Sequence, residues 1–158
     1  GIQAARCDWV LSLDADERIS PELQAAILRI KLKHLDTYTK ARQAVAAYYD
    51  KAFAGHAKIK TPGRNPKSDH VFHQYTLTLN GVDRTKLKEA LAAHDIPAMI
   101  YYPSPLHTQK AYVTDRSKNA SFPVTERLCA NVISLPMHTE LDEATLQYIT
   151  QTVLDLVK

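Results

Sequence analysis

Apolar and polar positions change their rhythm several times along this chain. The run WVLSLD, Trp9 to Asp14, is short, apolar and built of β-compatible residues, and it predicts a buried strand. Ser20-Pro21-Glu22 then has the chemistry of a helix start. A serine can cap, proline at the first helical position loses no needed N–H, and an acid in the first turn faces the positive end of the helix dipole. From there Leu23, Ile27, Ile30, Leu35, Tyr38, Ala41, Val45, Tyr48 and Phe53 recur at three-to-four spacing with charged residues between them. The spacing predicts one long helix, straight or kinked, over Pro21–Ala54.

Gly55 to Asp69, with Pro62, Gly63 and Pro66, reads as a loop, and the alternation in HVFHQYTLTL predicts a strand over His70–Leu79. Asn80-Gly81 is a turn. Asp83 can cap a helix that carries Leu87, Ala90 and Leu91 as far as His94. AMIYYP, Ala98 to Pro103, reads as a further strand closed by proline, followed by a proline-bounded loop and a short helix near Tyr112. Thr125–Ala130 should be helical and Val132–Pro136 a strand. Asp142–Val157 should form a terminal amphipathic helix on Leu146, Ile149, Val153 and Leu156. The succession is that of an α/β layer, a small sheet covered by helices.

Composition narrows the function classes. At 158 residues with 45% apolar and 23% charged side chains, the chain can bury one ordinary core. Its 20 basic and 17 acidic residues are interspersed, so there is no one-sided basic block of the kind nucleic-acid binding uses. No apolar run reaches the roughly 18 residues of a membrane span, and the N-terminal residues do not read as a signal peptide. The expectation is a soluble, cytoplasmic protein with no nucleic-acid partner and no membrane span. Cys7 and Cys129 lack a C-x-x-C partner and read as buried thiols, with neither a zinc site nor a disulfide framework indicated. The isolated glycines exclude G-x-G-x-x-G and G-x-x-x-x-G-K-[ST], and neither G-x-S-x-G nor H-E-x-x-H occurs.

Five segments, LQAAILRIKLKHLD, ARQAVAAYYDKAF, HVFHQYTL, IPAMIYYPSPLHTQKAY and VISLPMHTEL, stand in the order and spacing of one family. From Leu23 onward the chain resembles the C-terminal part of the DegT/DnrJ/StrS aminotransferases, PLP-dependent enzymes that aminate keto-sugar nucleotides. The resemblance implies the small domain of a fold-type-I aminotransferase: α/β (α+β), a small, mostly antiparallel sheet covered by helices, with one long N-terminal helix. It also implies a homodimer with active sites at the subunit interface. The preceding ARCDWVLSLDADERISPEL is similar instead to the middle of family 2 glycosyltransferases, where a strand ends in a D-x-D pair, here Asp14 and Asp16, that binds a divalent metal and a nucleotide diphosphate. The expected organisation is a glycosyltransferase-like segment over residues 1–22 and an aminotransferase domain over 23–158, an apparent chimera.

In the family the aldimine lysine, the carboxylate on the pyridinium nitrogen and the phosphate cup precede the helix that begins at Leu23. No PLP and no metal are therefore expected in this chain, no catalytic residue is assigned, and Lys31, Lys33, Lys58, Lys60, Lys86 and Lys110 read as solvated charges. The alternative function is a metal-dependent fragment that binds sugar nucleotide through Asp14 and Asp16, although two carboxylates alone hold a hard cation weakly. By resemblance, the substrate-contacting residues are Tyr101, Tyr102, His107 and His73. Tyr101 stands where the family commonly has histidine. Taken alone, Tyr102 reads equally as a core aromatic, His73 as a sheet histidine and His107 as a loop cap. Loss of the covering domain would expose Tyr38, Tyr48 and Tyr49, which predicts a homo-oligomer or domain-swapped dimer.

Overall fold

The computed structural model describes residues 20–114 and 119–158. The expected strand Trp9–Asp14, Cys7 and the pair Asp14/Asp16 lie outside the described residues. The chain divides into two compact units, Gly1–Asp36 and Thr37–Lys158.

The expected long helix is two. Helix α1, Pro21–Leu32, starts as its sequence predicts, with the Ser20 side chain accepting from the Leu23 N–H at 3.3 Å and proline in the first turn. It ends at Lys33, whose N–H turns back to the Lys31 carbonyl. None of its residues is buried. Helix α2, Leu35–Ala52, buries only Val45, Ala46 and Tyr49. The stripe read as continuous therefore packs only in its second half, and Tyr49, expected at the surface, is 0% exposed.

A three-stranded antiparallel sheet, ordered β1-β2-β3, forms the centre of the second unit. Strand β1 is the pair Ile59–Lys60, inside the segment expected to be loop. Strand β2 is Tyr75–Leu79, shorter than the alternation of His70–Leu79 predicts. The pattern fails because Phe72 adopts a left-handed backbone (φ 49°), which ends extended geometry before β2 begins. Strand β3, Val132–Leu135, pairs Leu135 with Tyr75 and Ile133 with Leu77. The expected strand Ala98–Pro103 contracts to one bridge, Met99 to Ser134. Both of its bonds are made, Met99 N–H to Ser134 O at 2.9 Å and the reverse at 2.7 Å. Since Ser134 spends its backbone groups on Met99, its register partner Thr76 is a non-hydrogen-bonded pair. In such pairs side chains approach closely, and the two hydroxyls meet at 2.8 Å.

Helix α3, Arg84–Ala93, is capped by Asp83, and α5, Glu143–Leu156, by Asp142. Their apolar faces, with the buried side of α2 and the Tyr75–Leu77–Leu79 face of β2, enclose one core. Helix α4, Pro123–Asn131, lies against β2 and buries none of its residues. Cys129 on it is a half-exposed free thiol rather than a buried one. The expected helix near Tyr112 is a single 3-10 turn, Leu106–Thr108, followed by a turn. This is a mixed α/β architecture with a small antiparallel sheet, as expected, but with two helices in place of one at its N-terminal side.

Candidate functional site

A cleft of ≈ 210 Å³ opens beside the end of β3, lined by His73, Gln74, Met99, Tyr101, Ser134 and Pro136, among others. Three local causes bring these residues together. The left-handed turn at Phe72 redirects the chain so that His73 and Gln74 precede β2 as irregular, exposed backbone. The Met99–Ser134 bridge sets the segment carrying Tyr101 beside β3. The third wall, Pro136, is held from below by the Tyr49 hydroxyl, which donates to its carbonyl at 2.9 Å.

The segment ahead of β2 is clasped to α2. Arg64 Nε donates to Asp50 Oδ2 at 3.0 Å, the Tyr75 hydroxyl donates to Asp50 Oδ1 at 2.7 Å, and the Arg64 guanidinium lies 4.0 Å over the Phe72 ring. His70 packs on the other side of this turn, 4.3 Å from Phe72 between ring centres. The aromatic burial and cation–π contact offset the cost of the left-handed phenylalanine, about 1–2 kcal/mol. Burial pushes the Tyr49 and Tyr75 hydroxyls well above the usual tyrosine range, helped at Tyr75 by the bond to Asp50.

The four residues singled out by resemblance separate here. His73 and Tyr101 line the same cleft, and His73 also borders a neighbouring hollow of ≈ 340 Å³ with His70 and Phe72. Tyr102 is 76% exposed and is no core aromatic. His73 is likewise exposed and precedes the strand, so it is not a sheet histidine. His107 turns the other way. Its Nε2 lies 3.2 Å from Glu126 Oε1, and its ring meets Phe122 edge-on at 4.8 Å. Glu126 Oε1 also accepts the Phe122 N–H at 2.8 Å, so His107 fastens its loop to the start of α4.

Sequence reasoning missed the residues that hold this loop. Arg84 Nη2 donates to the Pro103 carbonyl at 3.1 Å, while its Nη1 is buried without a hydrogen-bond partner. Thr108 Oγ1 donates to the Pro105 carbonyl at 2.8 Å. An arginine directly after a helix cap carries no signal in the pattern that it reaches a distant proline loop.

The cleft offers the imidazole of His73, the phenol of Tyr101 and the side-chain amide of Gln74, which suit a hydroxyl-rich ligand. Resident PLP asks for a desolvated lysine and a carboxylate for the ring nitrogen. Among the described residues no lysine is buried, and the buried polar side chains are Ser134, Thr150 and Thr152. The described residues do not by themselves fit that cofactor. Nor, among them, does any group of three or more His, Cys, Asp or Glu side chains come together to hold a metal ion. No described helix is long and apolar enough to cross a membrane.

The likenesses to known proteins agree with this architecture. A pleiotropic regulatory protein of Geobacillus stearothermophilus is 35% identical over 87% of this chain, and the UDP-N-acetyl-3-dehydro-alpha-D-glucosamine 3-aminotransferase of Acidithiobacillus ferrooxidans is 37% identical over 84%. The chain spans 37% and 34% of the length of these two curated relatives. Among solved structures, S. venezuelae DesV in complex with a ketimine intermediate superposes with a TM-score of 0.81 at 30% identity, over 98% of this chain and 41% of that one. A DegT DnrJ EryC1 StrS aminotransferase from Brucella abortus gives 0.73 at 34% identity, over 85% and 35%. With a match that runs from residue 15 to residue 154, taking in both helices before the sheet, the chain belongs to the DegT/DnrJ/EryC1/StrS aminotransferase family.

Proposed function

We propose that this chain is the C-terminal, substrate-contacting portion of a PLP-dependent nucleotide-sugar aminotransferase and does not complete the reaction alone. The observation that supports this most is a pairing. Relatives named for transamination of nucleotide sugars match over most of this chain, the match spans only 34% and 31% of their own length, and the described residues hold neither a buried lysine nor a buried carboxylate. PLP supplies the electron sink of such enzymes, and in this reading it resides on chain equivalent to the remainder of the relatives. Here His73 and Tyr101 face the sugar in the cleft, Tyr102 projects toward ligand or a second subunit, and His107 holds the loop that carries both tyrosines. The domain is 23–158 and assembles as a homodimer or swapped dimer. Residues 1–22 are a glycosyltransferase-like addition, and its Asp14 and Asp16 take no metal.

Two measurements test the proposal. Incubated with PLP, the chain should give no stoichiometric, borohydride-reducible adduct on a single lysine. Residues 23–158 joined behind the N-terminal portion of the Acidithiobacillus ferrooxidans relative should restore transamination of a nucleotide sugar, and Tyr101→Phe should lower kcat/KM in that hybrid. A folded but inactive hybrid, or a specific single-lysine adduct in the isolated chain, refutes it.

A further inference from the structure

A cavity of ≈ 720 Å³ lies between the Phe53–Gly63 segment, the paired ends of β1 and β2, and α4. It shares no residue with the His73–Tyr101 cleft. Its charged lining has one sign: Lys58, Lys60 and Arg127, with His56 beside them and no aspartate or glutamate.

Local structure explains why these cations stand unneutralised. In the two-residue edge strand β1, alternation turns Ile59 into the core and leaves Lys60 exposed. Arg127 is exposed on α4, a helix that buries none of its residues, and Asn131 Nδ2 donates to its carbonyl at 2.8 Å, steadying that last turn. The nearest acid in sequence, Glu126, is committed to His107 and the Phe122 N–H. The remaining ion pairs among the described residues are Asp50 with Arg64 and Asp155 with Lys158, so neither Lys60 nor Arg127 has a carboxylate partner there. Lys58 is engaged differently, its amine 2.6 Å from the Lys158 carbonyl, and the His56 Nδ1 accepts the Lys58 N–H at 3.3 Å. Leu128, 41% exposed, supplies an apolar wall.

We infer that this cavity binds a small phosphorylated organic molecule, its phosphate held by Lys60 and Arg127 and its organic part laid against Leu128. Guanidinium and ammonium together match phosphate oxygens in geometry and charge, and the volume falls in the range of small-molecule sites. The site is independent of the aminotransferase reading and of PLP.

The test is an amide-shift titration of the intact chain at low salt with inorganic pyrophosphate, ADP and uncharged adenosine. Pyrophosphate should bind with a Kd on the order of 1 mM and ADP more tightly, shifting amides of Lys58–Gly63 and of α4. Adenosine should bind at least about tenfold more weakly than ADP. Raising salt from about 20 to about 200 mM should weaken binding several-fold, because the cations are exposed. Lys60→Glu/Arg127→Glu should abolish binding. Lys60→Ala/Arg127→Ala, which carries no new charge and lies on exposed side chains, should weaken it about tenfold, while His73→Ala leaves it unchanged. The inference is overturned by no saturable shift up to about 10 mM ligand, by adenosine binding as well as ADP, or by affinity that survives the alanine pair in a variant with an unaltered melting transition.

Discussion

Leu77→Ala removes most of a side chain that is 0% exposed at the middle of β2, where its backbone pairs with Ile133 and its neighbours on the same face are Tyr75 and Leu79. The loss combines transfer of the deleted carbons to water with the cavity left between sheet and helices, which for a buried leucine comes to about 3 kcal/mol. For the roughly 120 residues of the second unit this corresponds to a fall in Tm of about 10–15 °C. Leu77→Asp places an unpaired carboxylate in the same space and should leave the chain unfolded at room temperature. The control is Leu28→Ala on α1, where the leucine is 56% exposed and no residue of the helix is buried. Alanine is the better helix former there, and the change should stay within about 0.5 kcal/mol. Thermal melts followed by circular dichroism decide the matter. A shift below about 3 °C for Leu77→Ala, or an equal shift for Leu28→Ala, would show that the core is not where sheet and helices enclose it.

Two further outcomes follow from named contacts. Glu126→Ala deprives both the Phe122 N–H and His107 of their acceptor; the global cost should be only about 0.5–1 kcal/mol at this half-exposed site, but limited proteolysis between Pro103 and Thr114 should accelerate, and unchanged cleavage would show that the contact does not hold the loop. Tyr49 and Tyr75 have folded pKa values raised above the unfolded tyrosine value near 10. The native state therefore keeps protons that the unfolded chain releases, so this contribution is intact below about pH 10 and is lost as pH rises beyond it. In an absorbance titration two of the 8 tyrosines should ionise only together with unfolding. Full ionisation of all eight while circular dichroism stays native would contradict it.

Where pattern and tertiary contact agree, the fold was legible. The caps at Ser20 and Asp83, the apolar face of α5 and the register-compatible runs of β2 and β3 all follow from side chains adjacent in sequence. Failures came where distant residues decide. Apolar Leu32 and Leu35 continue a helical stripe across the break at Lys33-His34, and a pattern does not reveal that α1 buries nothing. His70–Gln74 keeps strand-like alternation, yet Phe72 is turned left-handed between His70 and Arg64. Strand β1 is too short to show any period. His73 and Tyr101 could be named through resemblance, but their sharing of one cleft depends on the bridge between Met99 and Ser134, which no local pattern encodes.

That bridge is also a latch. The segment leading to Tyr101 joins the sheet through one residue pair, and its two bonds are reciprocal, each peptide donating to the other. A longer strand would fray from its end, one bond at a time. Here rotation that breaks one bond pulls the second out of line, so the segment leaves the sheet in a single event. Hydrogen exchange should report that event as matched rates at Met99 and Ser134, a pair of clocks keeping the same time while the Ser134–Thr76 hydroxyl contact keeps β3 seated on β2.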